Sequence, residues 1–261
     1  MFADASAAPP ERPDRSETLV SPGLPAAAGR AFYLGLIEYE AAWRLQLRLL
    51  EDRMSDRVPD LLLLCQHPDV LTIGRRQRAQ QNILEPRFPV FEVERGGDAT
   101  YHGPGQLVGY PILKLRPGAA PDDPHGERDL HRYLRALEGA LIDLCADVGV
   151  AAGRSLGATG VWTLPAADDG AGAQKLASLG IAVRRWVTFH GFALNVTTDL
   201  GRFSAINPCG FQATVMTSLA ACGAALASGA MTVEALIGPV MDKLGARLNR
   251  EFTLGQAAEL G

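Results

Sequence analysis

The sequence predicts an α/β protein of the α+β type, a mixed β-sheet flanked by helices. Three observations carry that prediction. Short runs of apolar and β-branched residues alternate with long stretches whose apolar residues recur every third or fourth position. Several of the short runs are joined by turns too brief to hold a crossover helix, so neighbouring strands form hairpins. The 261 residues, 47% of them hydrophobic, suffice for one large domain.

In chain order, residues 31–36 alternate weakly and form a first strand. Ile37, Ala41, Leu45 and Leu49 mark an amphipathic helix over 37–54. Residues 61–65 and 70–73 are strands separated by Gln66-His67-Pro68-Asp69, with His67 expected as a turn residue. Residues 88–94 alternate, then Arg95 to Gln106 carry four glycines and a proline, which predicts an irregular loop. A strand follows over 107–115. A long helix is expected over about 126–147, with Leu130, Leu134, Leu137, Leu141 and Leu144 inward. Residues 160–164, 176–183 and 187–196 read as strands, the last interrupted by Gly191 and Asn195, which suggests a bulge or a close backbone approach. Residues 214–226 read as helical. Thr232 is expected to cap a final helix that Pro239 kinks. The domain plan is a disordered extension over 1–28, one catalytic domain over 29–250 and a tail over 251–261.

Composition excludes several classes. A net charge of −4 gives no nucleic-acid surface. The N-terminus lacks a basic segment followed by an apolar one, and no run is long enough to span a bilayer, so a cytoplasmic protein is expected. Four cysteines without CxxC spacing read as reduced thiols, with neither a disulfide framework nor a metal site. Cys65 and Cys145 fall on apolar faces, and Cys222 sits among alanines. Cys209 differs. It lies between Pro208 and Gly210, where a turn would expose the thiol.

Lysine is scarce: Lys114, Lys175 and Lys243. Lys114 and Lys243 read as solvated charges, whereas Lys175 opens a strand directly after the flexible 165–174 turn. An ammonium close to Cys209 would favour the thiolate, and the 34 positions between them permit that approach without requiring it. The 95–106 loop is built to approach a ligand: its glycines expose amide N–H groups while Arg95, Thr100, Tyr101, His102 and Gln106 supply polar contacts. Its spacing matches neither GxGxxG nor a Walker loop, so nucleotide binding is unsupported. His102 and His190 are candidates for acid–base work, though a histidine beside glycine more often just bonds the backbone. His125 and His131 read as surface positions.

The run Arg95-Gly-Gly-Asp-Ala-Thr-Tyr-His-Gly-Pro-Gly-Gln106, then Lys175-Leu-Ala-Ser-Leu-Gly180, His190-Gly-Phe-Ala-Leu-Asn195 and Pro208-Cys209-Gly210, resembles the lipoyl(octanoyl) transferase, or lipoate-protein ligase B, family. Four motifs in order across roughly residues 30–245 carry the resemblance. It implies the catalytic-domain fold of biotin/lipoate protein ligases and transfer of an octanoyl group from octanoyl-acyl carrier protein to a lysine of a lipoyl domain. The acceptors implied are the lipoyl domains of 2-oxoacid dehydrogenase complexes and the glycine cleavage H protein, in endogenous lipoate biosynthesis, with no cofactor and no ATP. By the same resemblance Cys209 is the nucleophile that carries the acyl group as a thioester, and Lys175 lowers its pKa. Substrate contacts are implied for Arg95, Gly96, Gly97, Asp98, Ala99, Thr100, Tyr101, His102, Ser178, Leu179, Gly180, Gly191, Phe192 and Ala193. Arg75, Arg76, Arg78, Arg184 and Arg185 are then candidate docking charges for acidic partners, each also readable as an ordinary solvated side chain. Three other readings stay open: an ATP-dependent lipoate or biotin ligase, a cysteine hydrolase using His102 or His190 as base, and an acyl-binding scaffold with an inert Cys209.

Overall fold

A computed structural model describes residues 18–19, 25–77, 79–118, 126–164, 172–208, 212–226 and 229–261. The architecture is the expected mixed sheet with helices on both faces. Strand β1 (Ala27–Leu36) leads into helix α1 (Tyr39–Met54) and back to β2 (Asp60–Gln66), a parallel pair joined by a crossover helix. Strands β3 (Val70–Ile73), β4 (Val90–Glu92) and β5 (Ala99–His102) make a separate three-stranded sheet in the order β4-β3-β5. Strand β6 (Gln106–Ile112), helix α2 (Leu130–Asp147) and strands β7 (Ala152–Ser155), β8 (Ala158–Thr163), β9 (Lys175–Arg184) and β10 (Val187–Asn195) follow. Helix α3 (Ile237–Leu248) and strand β11 (Arg250–Gly255) complete the large sheet, ordered β11-β1-β2-β6-β10-β9-β8-β7.

The run Leu61-Leu62-Leu63-Leu64-Cys65 is continuous rather than alternating because both faces of β2 are covered. Leu62 and Leu64 pack with residues of α2 and α3, and Leu61, Leu63 and Cys65 pack with residues of α1. Where β1, β2 and β11 meet, the fully buried Arg250 pairs with the buried carboxylates of Asp60 and Glu127.

Several expectations are corrected. Residues 99–102 form β5, paired antiparallel with β3, so the glycine-rich segment is a loop followed by a buried strand. The 214–226 stretch holds the end of one 3-10 turn, Ala213–Val215, and no α-helix, although Leu219, Cys222 and Leu226 pack on the core. Cys222 therefore lies in a turn and not in a helix. Pro239 is the third residue of α3, where its missing N–H has no intrahelical partner to lose, so no kink is required. Thr232 does accept from the Ala235 amide at 3.2 Å. Register between β9 and β10 is unbroken from Val187↔Arg184 to Leu194↔Ala177, so Gly191 makes no bulge. It serves close approach: a Cβ there would lie 2.2 Å from the Gly109 carbonyl oxygen. The expected tail supplies β11, and Leu19, placed in the expected extension, is fully buried with its amide on Arg247 O at 2.8 Å. His67 is no exposed turn residue. It is fully buried, with Nδ1 donating to Ile37 O at 2.7 Å and Nε2 accepting from the Tyr110 hydroxyl at 2.7 Å.

Candidate active site

Two cavities adjoin along β9 of the large sheet, and Thr100 and His102 of the three-stranded sheet help to line the first. The first spans about 480 Å³, part of it open to solvent, and is lined by Tyr39, Arg95, Gly97, Asp98, Thr100, His102, Val108, Tyr110, Ser178, Leu179, Gly180, His190, Gly191, Phe192 and Ala193. The second, of about 880 Å³, contains Lys175 and is bordered by Arg76, Gly96, Leu134, Gly157, Ala158, Thr159 and Ile181. Gly97, Asp98, Leu179 and Gly180 line both, so the two spaces adjoin.

Strand register explains the first cavity. Ser178 pairs with Ala193 and Ala193 with Val108, placing three small or medium side chains in one row across β9, β10 and β6. Gly180 pairs with Gly191 in the next inward-facing row. Where a bulky pair would fill the space, these residues leave a channel about two strand spacings, ~10 Å, across. The roof comes from the glycine-rich segment. Gly96 anchors it by donating to Ile181 O at 2.8 Å, and the Arg95 guanidinium folds under it to donate to the Thr72 carbonyl and hydroxyl oxygens at 2.9 Å each. A Cβ at Gly180 would come within 2.9 Å of both Arg95 Cδ and Gly96 O, so roof and floor touch there only because Gly180 is glycine.

Lys175 is 2% exposed, the first residue of β9, and its Nζ lies 5.2 Å from the centre of the Trp162 ring. Gly160 makes the space for it: a Cβ there would lie 2.6 Å from Lys175 Cε. The Lys175 carbonyl accepts from the Thr217 amide at 3.0 Å, and Lys175 bridges to Met216. The other two lysines are surface charges as expected, Lys114 paired with Asp56 and Lys243 with Asp147.

Cys209 lies outside the described residues, as does Arg78. The chain on either side of Cys209 is tied down. Before it, Asn207 N donates to Asn82 O at 2.7 Å; after it, Met216 and Thr217 are registered on Lys175. Of the other expected site residues, Lys175 and Gly96 line the second cavity and the rest gather around the first, save two. Ala99 and the Tyr101 ring turn away from it: Ala99 is fully buried, and Tyr101 packs on Phe203 and donates to Asp69 at 2.6 Å. Arg75 and Arg185 are exposed, and Arg184 pairs with Glu51 at 3.1 Å.

Both histidines facing the cavity are neutral. Burial pushes His102 down to about 3, and burial, outweighing its contact with Glu94 at 3.4 Å, pushes His190 down to about 4. His190 adopts a left-handed backbone, φ 55°, and its amide donates to Gln46. Sequence reasoning missed Tyr39, Val108 and Tyr110. The i,i+2 spacing of the last two on a strand was a usable signal; Tyr39, at the start of α1, gave none.

Residues 38–244 match the family described as Lipoyl protein ligase A/B catalytic domain. An octanoyltransferase of Geobacter metallireducens is 52% identical over 189 residues, covering 72% of this chain and 80% of the relative. One of Mycolicibacterium gilvum is 42% identical over 232 residues, covering 89% and 90%. Among solved structures, a lipoate-protein ligase A bound with ATP aligns with TM-score 0.64 at 17% identity, covering 89% of this chain and 90% of the other. A bipartite lipoate protein ligase from Thermoplasma acidophilum aligns with TM-score 0.63 at 16% identity, covering 90% and 89%. At these identities the structures speak to fold alone.

Proposed function

The chain belongs to the lipoyl protein ligase A/B catalytic-domain family, and on that premise we propose that it is a cytoplasmic octanoyltransferase acting on lipoyl-domain proteins through a thioester on Cys209. The donor in this reading is octanoyl-acyl carrier protein, and the acceptors are lipoyl domains of 2-oxoacid dehydrogenases and the glycine cleavage H protein. The Cys209 thiolate attacks the donor's thioester carbon, and the C–S bond to the carrier breaks. The Lys175 ammonium passes a proton to the departing carrier thiolate. Lys175, now an amine, takes a proton from the acceptor lysine as that nitrogen attacks the acyl-cysteine. The new amide forms and the Cys209 thiolate is expelled. One thioester is exchanged for another and the amide is the more stable product, so no ATP is consumed.

The observation that carries this reading is the junction of an apolar channel with the Lys175 cleft at Gly97, Leu179 and Gly180. An octanoyl chain laid along Ser178, Ala193 and Val108 buries about seven aliphatic carbons, on the order of 5 kcal/mol. Its carbonyl then sits at the glycine-walled junction, beside the lysine. Amides of Gly97 and Gly180 are the candidate oxyanion donors, each worth about 3–4 kcal/mol where it serves.

The test is incubation with an octanoyl thioester of acyl carrier protein, without ATP, followed by intact-protein mass spectrometry. An octanoyl adduct that Cys209→Ser abolishes, and that chases onto a lipoyl domain, is the expected result. An absolute ATP requirement would indicate the ligase reading instead, and octanoate release outpacing transfer would indicate the hydrolase. Lys175→Ala should raise the pH midpoint of Cys209 alkylation; an unchanged midpoint refutes the dyad.

A further inference from the structure

A buried line of hydrogen bonds runs from the roof of the acyl channel to the backbone of Lys175, and its direction is fixed by chemistry. Gln106 Nε2 faces two acceptors, Asn195 Oδ1 at 2.9 Å and Tyr101 O at 3.2 Å, so Gln106 Oε1 is the atom that faces His102 Nδ1 at 2.8 Å. An amide oxygen only accepts, so His102 carries its proton on Nδ1. His102 Nε2 is then a lone pair, and the Thr72 hydroxyl at 3.3 Å donates to it. The Thr72 hydroxyl in turn accepts from Arg95 Nη2 at 2.9 Å. At the other end Asn195 Nδ2 donates to Thr217 O at 2.8 Å, and the Thr217 amide donates to Lys175 O at 3.0 Å.

Every donor therefore points the same way, from the Arg95 guanidinium to the Lys175 carbonyl. All seven residues are less than 9% exposed, and none of their side chains is among the unsatisfied buried atoms of the described residues. In such an interior one wrong partner orients or orphans its neighbours, so the line behaves as a unit. Only a neutral His102 fits it, in keeping with the low pKa that burial imposes.

We propose that Asn195 and Gln106 are positioning residues that hold Lys175 in register with the segment leaving Cys209. Thr217 is the link: it follows Cys209 by eight residues, receives Asn195 on its carbonyl and gives its amide to Lys175. With Asn195 in place, the main chain that carries the nucleophile and the main chain that carries the lysine share one fixed hydrogen-bonded junction. The proposal rests on the assignment of Cys209 and Lys175 as the reacting pair.

Asn195→Asp keeps the side-chain shape but turns a donor toward Thr217 O into an acceptor, leaving two oxygens facing one another. The experiment measures the pH midpoint of Cys209 alkylation and the steady-state transfer kinetics for Asn195→Asp, Lys175→Ala and the double variant. The expected result is a midpoint raised toward that of Lys175→Ala, kcat lowered about tenfold or more with donor KM unchanged, and no further midpoint shift in the double variant. A midpoint that Asn195→Asp raises further in the Lys175→Ala background overturns the proposal, since Asn195 would then act without Lys175. A folded Asn195→Asp with wild-type kcat and midpoint overturns it as well. If Asn195→Asp does not fold, Gln106→Glu, which places a carboxylate on the same line, takes its place in the cycle. Failure of the reacting pair itself is read separately, from an unchanged midpoint in Lys175→Ala alone.

Discussion

Enlarging Ala193 is the sharpest probe of the acyl channel. Ala193 is 4% exposed, stands in the middle strand of the Ser178–Ala193–Val108 row, and its side chain faces the cavity. Ala193→Leu adds three carbons to that space. If they occupy room that the acyl chain would fill, about three methylenes of substrate lose burial at ~0.8 kcal/mol each, about 2.4 kcal/mol in total. At a factor of ten per 1.4 kcal/mol this lowers kcat/KM for an octanoyl donor by roughly fiftyfold. A butanoyl donor ends before the obstruction and should be turned over at close to the wild-type rate. The assay is transfer from a series of acyl carrier protein thioesters of increasing length to a lipoyl domain, with the melting temperature followed in parallel. A variant that is folded but loses butanoyl and octanoyl transfer equally would show that the side chain disturbs something other than the channel. Undiminished octanoyl transfer would show that the acyl group lies elsewhere.

Gly180→Ala should abolish transfer, because its Cβ meets Arg95 Cδ and Gly96 O at 2.9 Å and separates roof from floor; wild-type kinetics would refute that account. Arg250→Met removes the one cation shared by Asp60 and Glu127, which keep only Arg53 and Arg116, and should cost about 3 kcal/mol in urea unfolding, with transfer intact below the transition. Burial favours the neutral form of Glu127, but its bonds to Arg250 and Arg116 outweigh that and hold its carboxyl below the usual value of 4.5. The stability it contributes is complete above that value and is lost as pH falls further, through its folded-state pKa. His67 acts over a higher window. Burial lowers it from 6.5 to about 4, so the unfolded chain binds the extra proton first. Stability should therefore fall on acidification from pH 6.5 to about 4, where buried His102 and His190 add to the same fall, and His67→Gln should lessen the slope of the unfolding profile in that window without abolishing it.

The fold was legible where burial was simple. The unbroken apolar run 61–65 announced a strand covered on both faces, and the 3.6-residue spacing in 37–54 and 126–147 announced the helices that cover it. The site was legible as motifs because glycines placed where backbone touches backbone cannot be mistaken for core. What stayed hidden were features set by partners far away in sequence. Residues 99–102 look like loop because glycines flank them on both sides, yet pairing with β3 makes them strand. β11 carries Glu251, Thr253 and Gly255, a polar edge that only β1 turns into a sheet member. His67 reads as a turn histidine until Ile37 and Tyr110, 30 and 43 positions distant, supply its bonds. The Asn195–Thr217 bond joins residues 22 apart, with no periodicity to mark it.

The assignment of proton transfer to Lys175 also draws support from what its neighbours are doing. The other titratable groups that line the two cavities among the described residues are each committed elsewhere. Burial raises the phenols of Tyr39 and Tyr110, so neither yields a proton near neutrality. Arg76 and Arg95 present guanidinium groups, which donate hydrogen bonds and accept none. Asp98 Oδ1 accepts from Asn82 Nδ2 and from the Ala99 amide, each at 2.7 Å, and fixes the roof of the channel. His102 and His190, at about 3 and about 4, are too weakly basic to take a proton from water or amine in the neutral range, which weakens the hydrolase reading. Lys175 is the group whose chemistry suits both half-reactions: as an ammonium it favours the Cys209 thiolate, and as an amine it accepts the acceptor's proton. A lysine that must first surrender its own proton to the departing carrier couples amine capture to prior acylation. The basic form of Lys175 thus arises only after Cys209 has been loaded, so a single proton links the two half-reactions in sequence.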